Sequence, residues 1–208
     1  MTARQLCERA AVLVGAVARD DLDVWPYVIH RDELPKPFCD LPVAGWTAPA
    51  DDLRFRDVID ELIGWSGRGP VIVTSGDDWQ TVAAVSLHEA AHVIESNWRY
   101  PEDESRALAP TEVFVARAVD GVQMKSDWSR QVHGLRFHRC LAHLMGRVPF
   151  CRELGALDDV IVAAESYGWP NWFTIRRAFS CEVWERRNEP IRSILESPAP
   201  AEAAELFA

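Results

Sequence analysis

Residues 70–97 read PVIVTSGDDWQTVAAVSLHEAAHVIESN, and this stretch decides the fold. Val71, Ile72, Val73 and Thr74 make a compact β-branched run bounded by glycines, which predicts a strand over 70–74. Ser75-Gly76-Asp77-Asp78 then supplies N-cap chemistry for a long helix over about 78–97. On that helix Ala83, Leu87, Ala90 and Ile94 share one side and can face a core. Thr81, Val85, His88, His92 and Glu95 share the other. The strand–turn–helix unit predicts an α+β domain: a small sheet packs against this helix, and a second helix, about 133–146, crosses close to it.

Outward from this unit, residues 3–18 read as an amphipathic helix ended by Asp20-Asp21. Residues 24–30 read as a short extended segment, confined to a sheet edge by Pro26. A loop with Pro35, Pro37, Pro42 and Pro49 follows. Residues 51–64 read as a helix capped by Asp51 or Asp52 and ended by Gly64, Gly67 and Gly69. Residues 101–110 form a polar loop, and Thr111–Ala118 reads as strand as readily as helix. The helix of 133–146 is expected to end at Gly146 and Pro149. Segments 156–167 and 171–196 are predicted helical. One domain over 1–196 is expected, with a disordered Ala-, Pro- and Glu-rich tail over 197–208.

The chain carries 32 acidic against 22 basic residues, a formal net charge of −10. Phosphate binding needs clustered Lys and Arg, so no nucleic-acid partner is expected. The pairs Arg176-Arg177 and Arg186-Arg187 are diluted by acidic neighbours and read as solvated helix faces. Five scattered cysteines, without C-x-x-C spacing, argue against a disulfide framework and a cysteine zinc site. With no secretory signal and no long apolar run, a cytoplasmic protein without a membrane span is expected. The nine tryptophans read as core and lid packing.

His88 and His92, at i and i+4, lie one above the other on a helix. At ~100° per residue His92 falls about 40° from His88, so both imidazoles can reach one Zn²⁺ at about 2.0–2.1 Å. Glu89 falls about 100° round, beside the metal rather than on it. A carboxylate there can take a proton from a water activated at the metal. A catalytic site needs a third protein ligand. The candidates are His133, His138, His143, Glu112, Asp127 and Glu95. Glu95 stands where the glycine of the extended H-E-x-x-H-x-x-G-x-x-H pattern would be, and Trp98 where its third histidine would be. Glu95 is better placed to orient an imidazole N–H. His133, Phe137, Leu141 and Leu144 share an apolar helical face, so His133 projects from the buried side. His138 reads as supporting a ligand or facing substrate, and His143 as a surface histidine. Glu112, on the segment that follows, would give a carboxylate ligand instead.

His88-Glu89-Ala90-Ala91-His92, followed by His133-Gly134-Leu135-Arg136-Phe137, resembles the H-E-x-x-H … H-G-x-x-F arrangement of SprT-like zinc metalloproteases, which are zincins. The resemblance covers the two helices, about a quarter of the chain. It implies His133 as third zinc ligand and Glu89 as general base. The separation of His92 from His133, 41 positions, is longer than expected for that family. There is no zinc-ribbon cysteine set.

The implied reaction is hydrolysis of an amide bond in a peptide or protein substrate, with Zn²⁺ as cofactor. His138, Arg136, Tyr100 and Tyr167 are candidate donors to the oxyanion. The alternative is a non-catalytic zinc-binding or interaction domain that keeps the same helix.

Overall fold

Thr2 and Gln5 close the start of the first helix, α1 (Ala3–Val17), in a reciprocal capping box. Gln5 N donates to Thr2 Oγ1 at 3.3 Å, and Thr2 N donates to Gln5 Oε1 at 2.9 Å. Leu6, Ala10, Leu13, Val14 and Val17 then form a buried helical stripe. The computed structural model describes residues 1–18, 20–22, 24–34, 39, 45–48, 70–95, 133–151 and 172–207. The expected helix 51–64, the loop 101–110, the segment Thr111–Ala118 and the helix 156–167 lie outside the described residues.

Three strands make one sheet, in the order β1-β3-β2. β1 (Tyr27–His30) pairs parallel with β3 (Val71–Thr74), Tyr27 opposite Val71 and His30 opposite Thr74. β2 (Trp46–Ala48) pairs antiparallel on the other side, Trp46 opposite Val73. All four residues of β3 are buried, as a central strand's β-branched run requires. The strand β2 falls inside the segment read as a proline-rich loop. Three residues between Pro42 and Pro49 leave no alternation to detect.

The turn after β3 depends on Gly76, at φ +120°. A Cβ there would come within 2.2 Å of the Thr81 side chain. Asp78 caps the helix that follows, α2 (Trp79–Glu95), accepting from Thr81 N at 2.8 Å. His30 Nε2 donates to Gly76 O at 3.3 Å and ties β1 to this turn. The sequence reads α2 as two-sided, but the structure encloses it. Among its 17 residues, Val82–Leu87 and Glu89–Ile94 are all buried. Packing by α1, the sheet and α3 (Leu135–Arg147) leaves only Gln80, Thr81, His88 and Glu95 part-exposed.

Helix α3 turns Phe137, Cys140, Leu141, Leu144 and Met145 into the core. Its last residue, Arg147, donates to Val17 O at 2.9 Å, at the carbonyl end of α1, and reaches Asp21 at 3.4 Å. Asp21 in turn accepts from Arg192 N at 2.8 Å. Residues 171–196, expected as one helix, are two: α4 (Trp172–Glu185) and α5 (Ile191–Glu196). Pro190 sits at the cap of α5 and cannot continue α4. The tail also differs from its expected disorder. It carries a short helix, α6 (Ala201–Glu205), and buries Ala203. Its own Ala- and Pro-rich sequence does not show the arginine donors that α3 offers to its backbone carbonyls. No helix among the described residues is long and apolar enough to cross a membrane.

His143, expected at the surface, is fully buried in α3. Its Nε2 lies 3.3 Å from Glu182 Oε2 on α4, and Glu182 is also gripped by Arg139, whose Nε donates at 3.0 Å. Burial pushes the His143 imidazole down to about 4, more than the Glu182 bond restores. Burial alone would raise Glu182, but Arg139 and then His143 outweigh it and hold it below the usual carboxylate range. An imidazole with a depressed folded pKa is stabilising above its unfolded value of about 6.5, and that contribution is lost as pH falls. Glu182 acts in the same sense below about 4.5. The stability contributed by the His143–Glu182 pair is therefore expected to be level above about pH 7 and to fall between pH 6.5 and 4. His143 alone contributes about 3 kcal/mol of that fall. Urea midpoints of wild type and His143→Gln, compared across that range, isolate it from the opposite slope of Glu89, whose carboxyl burial raises to about 8. A difference between the two chains that is equal at pH 7.5 and 4.5 would contradict it.

Candidate metal centre

Two successive helical turns of α2 carry His88 and His92, and the turn before α3 carries His133. His133 precedes the helix, which starts at Leu135 with Gly134 as N-cap. The three side chains converge. His133 Nε2 lies 3.2 Å from His92 Nε2 and 3.2 Å from His88 Nε2. Among the described residues these three form the one group of His, Cys, Asp or Glu able to hold a metal ion, with ligand atoms within 4.8 Å of one another.

The spacing fits a cation better than hydrogen bonds. A neutral imidazole nitrogen carries either one proton or one lone pair. His133 Nε2 therefore cannot serve both neighbours at 3.2 Å as a good hydrogen-bond partner. Tetrahedral ligands at about 2.05 Å from a zinc ion stand about 3.3 Å apart, close to the observed separation. Burial, and then the neighbouring imidazoles, hold His88 and His92 well below the usual histidine range. They are kept neutral, the form that binds a metal.

Phe137 is the floor of the site. It is 1% exposed, and its ring centroid lies 4.9 Å from that of His88, 4.3 Å from His92 and 4.6 Å from His133. Its place on the apolar face of α3 is legible in the sequence, but its contact with all three rings is not. Gly134 behaves differently. Its φ of −77° is ordinary, and a Cβ there would meet nothing within 4 Å. Its carbonyl is what is used, accepting from His138 N and from His138 Nδ1, both at 3.1 Å.

Glu89 is 4% exposed, and burial pushes its carboxyl up to about 8. The chain at Gly45, just before β2, makes room for it. A Cβ on Gly45 would stand 3.1 Å from Glu89 Cγ and 2.8 Å from Val73 O. His138 lies beside the cluster, its ring centroid 6.4 Å from that of His133. Because its Nδ1 donates to Gly134, its Nε2 presents a lone pair. Burial lowers its pKa, so it is a poor proton donor to an oxyanion. Arg136 is engaged with Leu195 O at 3.0 Å and lies 4.0 Å from Glu95. Glu95, His30 and His143 are not part of the converging group. Glu112, Asp127, Tyr100 and Tyr167 lie outside the described residues. Compared with protein-family models, curated proteins and solved structures, the chain matches none.

Proposed function

We propose that the chain is a zinc-dependent hydrolase, a metallopeptidase of the zincin type. The observation that carries this reading is the convergence of His88, His92 and His133 at 3.2 Å Nε2 separations on His133, with the buried Glu89 carboxyl one residue from His88. Zinc is favoured by three neutral nitrogen ligands, which leave a fourth position open. Bound there, zinc supplies Lewis-acid polarisation of a carbonyl and activation of water. The chain's own residues do the rest. Phe137 and the enclosed helix fix the three imidazoles. Glu89 accepts the proton of the attacking water and delivers it to the leaving amine. Burial pushes this carboxyl up in the metal-free chain, and a cation held by the neighbouring imidazoles would draw it back towards the ionised form that accepts a proton. Peptides and proteins are the proposed substrates, since a net charge of −10 gives no attraction for nucleic acid.

The test begins with metal. The purified chain, never exposed to chelator, is expected to hold one zinc per molecule, and His88→Ala is expected to lose it. Casein or a mixed peptide library then reads cleavage. A metal-free wild type would end the metal reading. Bound zinc without cleavage would leave a zinc-binding module that does not turn over.

A further inference from the structure

We propose that residues 199–207 form a detachable cover on the His133–His138 flank of the cluster, hinged at Ser197–Pro198, where Arg139 of α3 holds the backbone. The base of this arm is clamped. Arg139, 3% exposed, donates to Ser197 O at 2.7 Å and to Pro198 O at 3.1 Å. Arg136 adds the bond to Leu195 O at 3.0 Å, and Arg186 holds the Ser197 hydroxyl at 2.6 Å. Beyond Pro198 the grip changes character. Ala199 and Pro200 belong to no helix or strand, and α6 is too short to be stable alone. Ala201, Glu202, Ala204, Glu205 and Leu206 are exposed. The apolar anchors that remain are Ala203, fully buried where α6 meets α4, the half-buried Ala199 and Pro200, and Phe207, half-buried against His138 with ring centroids 5.0 Å apart.

The same His138 ring stands next to His133. One buried methyl group and three half-buried side chains oppose the conformational freedom gained by about nine residues. A segment so lightly held opens locally at a small fraction of the cost of global unfolding. The clamp at Ser197–Pro198 keeps the opened arm attached beside α3. The proposal depends on the arrangement of the residues and not on which metal they hold or whether they turn over substrate.

The experiment uses the metal-free chain, residues 1–208. Hydrogen exchange of the wild type should show the amides of Ala203–Phe207 exchanging well before those of α3. Diethyl pyrocarbonate then probes His138, read by peptide mass spectrometry. Phe207→Ala should raise its rate of modification about tenfold, the scale of one half-buried aromatic contact. Leu206→Ala, at an exposed position, should leave it unchanged. Exchange of the α6 amides only together with those of α3 would overturn the proposal, whether or not the variants fold. So would a Phe207→Ala rate equal to that of wild type, or an equal rise with Leu206→Ala. Absence of zinc from the purified protein would count against the metal reading and leave the cover standing.

Discussion

Glu89→Gln is expected to lower turnover at least ~100-fold while leaving zinc content unchanged, the scale of losing a general base. The side chain sits in an apolar enclosure, 4% exposed, where burial lifts the carboxyl to about 8. In the metal-free chain near neutral pH it is therefore largely protonated. A glutamine matches a protonated glutamic acid in size and polarity, so the fold has little reason to change. His88 and His92 keep their rotamers, because their rings rest on Phe137 and not on Glu89. The variant thus separates proton transfer from architecture. Cleavage of casein or a peptide library is measured alongside zinc content and the thermal midpoint. Wild-type cleavage by Glu89→Gln would withdraw the mechanism even with zinc bound.

Phe137→Ala is expected to cost about 3–5 kcal/mol of stability, the range for emptying a buried aromatic site. Here the cavity would open directly beneath three imidazoles, each within 4.9 Å, centroid to centroid, of the lost ring. Without that floor their convergence becomes one arrangement among several, and zinc affinity should fall at least tenfold. Phe137→Leu separates the two losses. It restores most of the packed volume but no ring contact, so it should recover stability more fully than affinity. Urea unfolding and competition with a zinc-binding dye give the two numbers. A Phe137→Ala chain as stable and as tight as wild type would refute the assignment.

The α+β architecture was legible because its deciding pieces are periodic. The β-branched run at 71–74 and the capping acids before Trp79 announce a strand and a helix start. The i, i+4 histidines and the apolar face starting near His133 carry enough geometry to foresee the three-residue cluster. What could not be read depends on partners distant in sequence. Nothing local marks His143 as buried, since Glu182 and Arg139 make that position tolerable. The tail lacks hydrophobic pattern, and its order comes from arginines about 60 positions earlier. Gly134 teaches the reverse. As part of a recognisable H-G-x-x-F string it invites a steric explanation, yet the space around it is open.

The enclosure of α2 also limits how this sequence can drift. Ala83, Ala84, Ala90 and Ala91 are 0% exposed, so any larger side chain there must displace a neighbour, at roughly 1–3 kcal/mol. Such a loss is a large share of the stability of an ordinary domain. Lineages descending from this chain should therefore accept very few replacements along α2, even if the chemistry of the site were abandoned. A relative that had lost metal binding would still resemble this chain most closely between Trp79 and Glu95. Likeness along the alanine-rich part of this helix alone would identify a shared core. Only His88, Glu89, His92 and His133 together would identify a shared candidate metal site.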